Sequence, residues 1–414
     1  MPDQLLLFQL IVIIAVSQLL GTIFRKMQQP EVVGQVIGGI LLGPSFLGKF
    51  FPNLYDHLFP AVSMGNIHGL SQIGLIFFMF IIGMQIDFDV IRKETRAALV
   101  ISQAGFILTF AMGVVLSYFL YSRFAMPSVR FYVFALFIGI AMSISAFPVL
   151  ASILRSRKLL NTWLGNMVLV CAATDDIVAW VLFTLMLTVF KGGSLSSCLH
   201  ILLYCGLYGC CMLFIVKRVL VRGLREDISN RRISATTFVG LSLVVLASAL
   251  CSDFIGLHVI IGAFLAGIIV PGDASFKQLI IDKMEDVCVV LLLPLYFLMT
   301  GLHTRIDLVN NVDGLVICLL IIIIATAGKL GGSAIAARSM GMSWNTGLSI
   351  GILMNTRGLV ELVILNIGME LGIISQPLFA LLVIMALVTT SMTQPLLDVL
   401  NRLERKRNKH PLGV

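Results

Sequence analysis

The chain has 414 residues, 58% of them hydrophobic and only 12% charged, with a mean hydropathy of +1.02 and a formal charge of +8. Soluble domains carry about 25% charged residues, so the composition excludes a soluble fold and predicts an integral membrane protein. The positive charge does not point to nucleic acid, because the basic residues lie in short loops between apolar runs rather than on one soluble face.

At about 20 apolar residues per crossing, thirteen transmembrane helices are predicted. They fall at 4–24, 31–48, 67–86, 97–121, 131–154, 163–190, 195–216, 234–252, 255–270, 287–302, 314–337, 344–366 and 376–400. The first run lacks a basic leader and a small-residue cleavage site, so it is read as a retained span. Loops after odd-numbered spans, with the C-terminal tail, hold 22 of the 29 basic residues, and loops on the other side hold 5. The positive-inside rule then places the N-terminus outside and the C-terminus in the cytoplasm, in the plasma or inner membrane. The remaining two, Lys329 and Arg357, fall inside spans. Eight cysteines sit in or beside apolar runs without C-x-x-C spacing, and six histidines form no ligand pattern, so no metalloenzyme and no cofactor is expected.

Two pairs of segments resemble each other across the chain. "GQVIGGILLGP" (34–44) matches "LHVIIGAFLAG" (257–267), and "FFMFIIGMQIDF" (77–88) matches "YFLMTGLHTRIDL" (296–308). The copies are seven spans apart, an odd number, so the second enters the membrane upside down. The fold class is therefore all-α, with two inverted five-helix repeats, one at about 31–190 and the other at about 255–400. Together they make a single transmembrane unit over 1–400, followed by a short basic cytoplasmic tail, 401–414.

The fourth span of each repeat carries helix-breaking residues. In "GIAMSISAFPVLASILR" these are Ser143, Ser145 and Pro148; in "GILMNTRGLVELVILN" they are Asn355, Thr356, Arg357, Gly358 and Glu361. Broken backbone at membrane depth is tolerated only where protein buries it or water reaches it, so two discontinuous helices are expected to cross near the midplane. Arg357 and Glu361 are expected to offset the dipoles of the half-helices.

The next span reads "CAATDDIVAW" at 171–180. Each Asp at a helix centre costs roughly 2.5 to 3.5 kcal/mol on insertion scales, so the pair Asp175 and Asp176 needs an offset. Adjacent residues point about 100° apart on a helix, which gives the two acids different partners. Lys329, also near the middle of its span, is a natural partner for one of them. The other would line a cavity, where a desolvated carboxylate holds a proton or a small cation but hardly both. A purely structural ion-pair network would leave the second acid unexplained.

At these residues the chain resembles a known family. "SISAFPVLASIL", "TDDIVAW", "GKLGG" and "NTRGLVELVILNIG" are similar to the monovalent cation:proton antiporter-2 family, in particular the CHX-type plant exchangers and their bacterial relatives. The resemblance implies thirteen helices, a core subdomain moving against an interleaved dimerisation subdomain, a homodimer, and two unwound helices crossing at the ion site. Carried over residue by residue, Asp176 matches the essential carboxylate that binds Na⁺ or K⁺ and the proton, and Asp175 matches the variable acid before it. Lys329 matches the lysine that pairs with that acid, and Thr174 a neutral ligand. CHX-type exchangers resemble Asn-Asp where this chain has Asp175-Asp176, a pair more similar to electrogenic sodium/proton antiporters. No nucleotide-binding regulatory domain follows the last span here, so gating by a dinucleotide or glutathione is not expected.

The expected function is secondary exchange of Na⁺ or K⁺ for H⁺, with no enzymatic chemistry and the lipid bilayer as the surrounding partner. The main alternative is a sodium-coupled symporter of an organic anion on a similar fold, but few polar groups converge outside the ion site. An intramembrane aspartyl protease would need its two carboxylates on different helices, and an ion channel would show linear flux.

Overall fold

A computed structural model describes residues 2–85, 88–160, 162–190, 195–255, 258–309 and 311–408. Lys191, residues 86–87 and 257 of the repeat motifs, and residues 409–414 of the tail lie outside the described residues. Among the described residues, regular structure is helical apart from one bridge between Ala125 and Ile374.

The first repeat contributes α2 (Glu31–Leu42), after α1 (Pro2–Lys26), then α3 (Ala61–Gln85) and α4 (Phe88–Phe124). An interrupted pair follows, α5 (Phe131–Ser143) and α6 (Phe147–Ser156), and then α7 (Trp163–Phe190). Between the repeats lie α8 (Leu195–Cys210) and α9 (Ala235–Ile255). The second repeat repeats the order: α10 (Val259–Ile268), α11 (Ala274–Glu285) running on into α12 (Leu293–His303), and α13 (Val312–Ser339). A second interrupted pair, α14 (Trp344–Met354) and α15 (Leu359–Glu370), precedes α16 (Gln376–Asn408).

Eleven helices among the described residues are long and apolar enough to cross a membrane. Length and composition alone therefore account for eleven of the thirteen predicted crossings. The two other predicted spans are α10, only 10 residues long, and the α14–α15 pair, which is cut at its middle. The tenth predicted span also begins at Ala274 rather than 287. Its charged first half is amphipathic, with Phe276, Ile280, Ile281 and Met284 buried, and Asp273 caps it by accepting from the Phe276 N–H at 3.0 Å. The helix then widens to π geometry over Asp286–Leu292, just ahead of Pro294, which supplies no N–H to the ladder.

The chain divides into two compact units. One comprises Met1–Ala15, Asp56–Asp87 and Leu187–Met299. In it α3 crosses α10 so closely that a Cβ on Gly267 would lie 2.1 Å from the Phe80 carbonyl oxygen. The other comprises Val16–Tyr55, Phe88–Met186 and Thr300–Val414. Here the end of α12 meets α2 in the same way, a Cβ on Gly301 falling 2.2 Å from the Val36 carbonyl oxygen. The equivalent helices of the two repeats thus make equivalent crossings. Within this second unit α4 packs against α5 and α13, α13 packs against α14, and α16 lies against α13, α14 and α15. Side-chain caps start two of these helices, with Asn311 accepting from Gly314 N at 2.7 Å and Ser343 from Thr346 N at 3.1 Å.

Candidate functional site

The two breaks meet. After Ser143 the chain extends through residues 144–146 before α6 begins, and after Met354 it leaves the helix through residues 355–358. Ala146 N donates to Thr356 O at 2.9 Å, and Ser145 Oγ donates to Met354 O at 2.7 Å, so each interruption satisfies backbone of the other. Pro148 does not sit at the break, as a kinking proline would. It occupies the first turn of α6, where the missing N–H costs nothing because that N–H has no intrahelical acceptor.

A helix leaves its last carbonyls without partners, and at the end of α5 two buried cations take four in succession. Arg357 donates through Nη1 to Ala141 O (3.2 Å) and Ile144 O (3.4 Å) and through Nη2 to Met142 O; Lys329 Nζ donates to Ser143 O at 2.5 Å. Both side chains are completely buried. The negative end of the half-helix dipole thus holds the positive charges. At the other side of the break, the Asp176 carboxylate interacts electrostatically with the Phe147 N–H in the first turn of α6, which sets an acid near the positive end.

Asp175 is saturated. Lys329 Nζ lies 2.5 Å from its Oδ2, Ser145 Oγ 3.0 Å from the same atom, and Ser102 Oγ 2.5 Å from Oδ1. Asp176 differs: it is 5% exposed, and its Oδ1 has no hydrogen-bond partner. The small residues of "GKLGG" explain how Lys329 reaches this point. A Cβ on Gly332 would lie 2.8 Å from the Ala104 carbonyl oxygen, so α13 presses directly onto α4. That contact brings in Ser102 for Asp175 and, one turn on, the ring of Phe106, whose centroid is 5.6 Å from Lys329 Nζ.

Glu361 is also fully buried, with its Oε1 3.6 Å from Arg357 Nη1 and neither oxygen hydrogen-bonded. Around the second break, Thr390 Oγ1 accepts from Arg357 N at 3.0 Å and donates to Arg357 O at 2.7 Å. The Thr356 and Thr393 hydroxyls lie 3.3 Å apart, and Asn355 Nδ2 donates to Thr326 Oγ1 at 3.4 Å, leaving Asn355 Oδ1 without a partner.

Of the residues singled out from sequence, Asp175, Asp176, Lys329, Ser145, Asn355, Thr356, Arg357 and Glu361 gather at the crossing. Two hydroxyls turn back onto their own helices: Thr174 donates to Val170 O at 2.8 Å and Ser143 to Gly139 O at 2.7 Å, so Ser143 contributes its carbonyl rather than its side chain. Ser102, Phe106 and Thr390 escape sequence reasoning, since a lone hydroxyl or ring in an apolar span carries no signal of what it faces.

Known proteins resemble this chain in sequence and in fold. The sodium/hydrogen exchanger transmembrane family model matches residues 11–399. The Na(+)/H(+) antiporter NhaS4 of Synechocystis sp. is 38% identical over 95% of this chain and 96% of its own length. Cation/H(+) antiporter 20 of Arabidopsis thaliana is 38% identical over 94% of this chain, and K(+)/H(+) antiporter 1 of Saccharomyces cerevisiae 33% identical over 95%. This chain spans about half of those two longer relatives, 48% and 46%. In structure it is similar to the sodium proton antiporter MjNhaP1 of Methanocaldococcus jannaschii, with a TM-score of 0.64 at 14% identity over 97% of this chain and 99% of that one, a likeness of fold. With two crossing interrupted helices, an acid pair facing the break and a family match across nearly its whole length, the chain belongs to the sodium/hydrogen exchanger family.

Proposed function

We propose that the chain is a secondary antiporter exchanging Na⁺ or K⁺ for H⁺ by alternating access, with Asp176 holding cation and proton by turns. A charge count at the crossing carries this reading. Three carboxyls, Asp175, Asp176 and Glu361, are coupled within one buried cluster to only two cations, Lys329 and Arg357. One negative charge is in surplus, and burial demands that it be neutralised. Asp176, which has a vacant oxygen and, unlike Glu361, no cationic side chain within ion-pair distance among the described residues, is where a proton or an alkali cation does so. The names of the relatives, antiporters of Na⁺, of K⁺ and of cations generally, support both candidate ions.

Backbone carbonyls near Ser145 and residues 355–357, the free Asn355 Oδ1 and the Thr174 hydroxyl supply neutral oxygens for the dehydrated cation. Lys329 holds Asp175 while the cation is absent and loosens its hold when one binds, keeping Ser143 O as its second anchor. Interleaved core and dimerisation subdomains agree with two compact units, each built from three separate stretches of chain. The protein works as a homodimer in the plasma or inner membrane, N-terminus outside, in keeping with its loop charges. In reconstituted vesicles carrying a pH dye, addition of Na⁺ or K⁺ moves protons through the native chain. The Asp176→Asn variant moves none; normal exchange by that variant defeats the assignment.

A further inference from the structure

Away from the crossing, α4 and α13 leave a space between them. Near their middles they pass closely, a Cβ on Gly328 falling 2.9 Å from the Thr109 Cα. Towards the start of α13 the two helices present larger residues instead. There a groove of about 360 Å³ opens between Met112, Val115, Leu116 and Phe119 on α4 and Leu320 and Ile324 on α13. Every residue lining it is apolar, and Val115 and Phe119 are largely exposed, so it opens sideways to the hydrocarbon of the membrane. Met112, Leu116, Phe119 and Arg123 follow one another at helical spacings of three and four, which puts Arg123 at the end of the same stripe. On α13 the stripe of Ile324 and Leu320 leads likewise to Asp313. Arg123 Nη1 lies 3.6 Å from Asp313 Oδ2, longer than a hydrogen bond, and both side chains are well exposed. Tyr118, Phe119 and Tyr132 are exposed at this end, and Arg130 donates to the Tyr132 hydroxyl at 3.1 Å. Such an aromatic girdle marks the head-group level of a bilayer.

We propose that the groove and its paired charges bind a primary-amine phospholipid of the phosphatidylethanolamine kind: one acyl chain fills the groove, the phosphate meets Arg123 and the ammonium meets Asp313. The dimensions agree. From Met112 to Arg123 the stripe runs about 16 Å along the helix, and one leaflet of the hydrocarbon core is about 15 Å deep. The charges agree as well. Arg123 and Asp313 set a cation and an anion side by side, and this head group carries an anion and a cation a short distance apart. A loose, exposed ion pair contributes little, so parting it costs little. Arginine to phosphate and ammonium to carboxylate are charge-assisted hydrogen bonds, which replace it with stronger ones. A phosphatidylglycerol brings no cation to Asp313, and the quaternary ammonium of a phosphatidylcholine has no N–H to donate. The apolar lining offers a head group nothing deeper in, so the lipid binds in one orientation. This site holds whichever ion is exchanged at the crossing.

Native mass spectrometry of the delipidated full chain tests this, with phosphatidylethanolamine, phosphatidylglycerol and phosphatidylcholine of identical acyl chains added in turn. The native chain is expected to hold phosphatidylethanolamine several-fold more tightly than the other two. Arg123→Gln removes the phosphate partner and is expected to weaken that binding about tenfold. Asp313→Ala removes the ammonium partner and is expected to abolish the preference, so that phosphatidylethanolamine and phosphatidylcholine bind alike. Ala111→Phe fills the groove from its own lining and is expected to weaken all three lipids together. Ala111 and Arg123 lie on the outer surface, where substitution spares the core, and Val115→Phe fills the same groove should Ala111→Phe fold poorly. Equal binding of the three lipids by the native chain overturns the proposal, as does undiminished phosphatidylethanolamine binding in Arg123→Gln or in a groove-filling variant.

Discussion

The first and second breaks are equivalent elements of the two repeats, and the helices facing them are equivalent as well, yet they carry different chemistry. At the second break α16 offers threonines: Thr390 closes both the N–H and the carbonyl of Arg357, and Thr393 meets Thr356. At the first break α7 offers Asp175 and Asp176 in a comparable place near mid-helix. Interrupted backbone in a membrane needs polar partners, and neutral hydroxyls suffice for that. Carboxylates are therefore not a requirement of the fold. Where they replace hydroxyls they add a charge that only a proton, a cation or Lys329 can balance, and on the function proposed above this makes one of two similar scaffolds the ion site.

The largest effect that tests this division is at Arg357, which serves both halves. Arg357→Met would strip partners from two carbonyls of α5 and that of Ile144 just after it, and leave Glu361 without its cation. Losing one partner of a buried pair costs about 3 to 5 kcal/mol, so the expected outcome is little folded protein on size-exclusion chromatography. Arg357→Lys keeps the charge without the planar fork and should melt between the two. A well-folded Arg357→Met protein would mean that the crossing does not depend on this cap.

Thr390→Val keeps shape and removes the hydroxyl that serves Arg357 N and O, orphaning two buried backbone groups at about 1 to 3 kcal/mol. It should lower the melting temperature in detergent and leave the pH–activity profile unchanged, with only a small change in the KM for the cation through the Arg357 carbonyl, one of the proposed neutral ligands. Asp175→Asn, at the matching place of the first break, leaves buried Lys329 without its ion pair and should lower the melting temperature too, but unlike Thr390→Val it should also alter exchange. If both variants changed exchange in the same way, the contrast between a structural break and a functional one would be lost.

Much of this contrast is legible in the sequence, because a charge or a proline in an apolar run is conspicuous against its surroundings. Asp175, Asp176, Lys329, Arg357 and both interruptions stand out for that reason. Hydroxyls do not, since most of them in a helix bond their own backbone, as Thr174 and Ser143 do. Only the close passage of α13 over α4 singles out Ser102, and only the path of α16 singles out Thr390. The start of the tenth span was hidden by a similar rule: Lys277, Asp282, Lys283 and Glu285 read as a loop, although they form the polar face of α11 over buried Phe276 and Ile280. Pro148 marks the neighbourhood of the first break but not its place, because a proline fits the start of a helix better than it makes a kink.

The smallest expected effect comes from a second acid with hydroxyl donors, placed outside the membrane-spanning segments. Asp227, before α9, is held below the usual carboxylate range first by the Thr237 hydroxyl and then by Ser234, whose N–H and Oγ lie 2.9 and 3.0 Å from its Oδ2. Ser234 in turn caps α9 by accepting from Thr237 N at 3.2 Å. Because the folded state has the lower value, this stabilisation is complete above the unfolded carboxylate range and disappears as the pH falls through the folded value. Asp227→Asn should therefore lower the melting temperature slightly at neutral pH, by no more than about 1 kcal/mol of stability, and match the native chain in acid, with exchange unaltered throughout. The donor set is much like that of Asp175, so an exchange defect in Asp227→Asn would show that hydroxyl-capped acids matter wherever they stand. A purely thermal effect assigns the difference to the dry surroundings of α7.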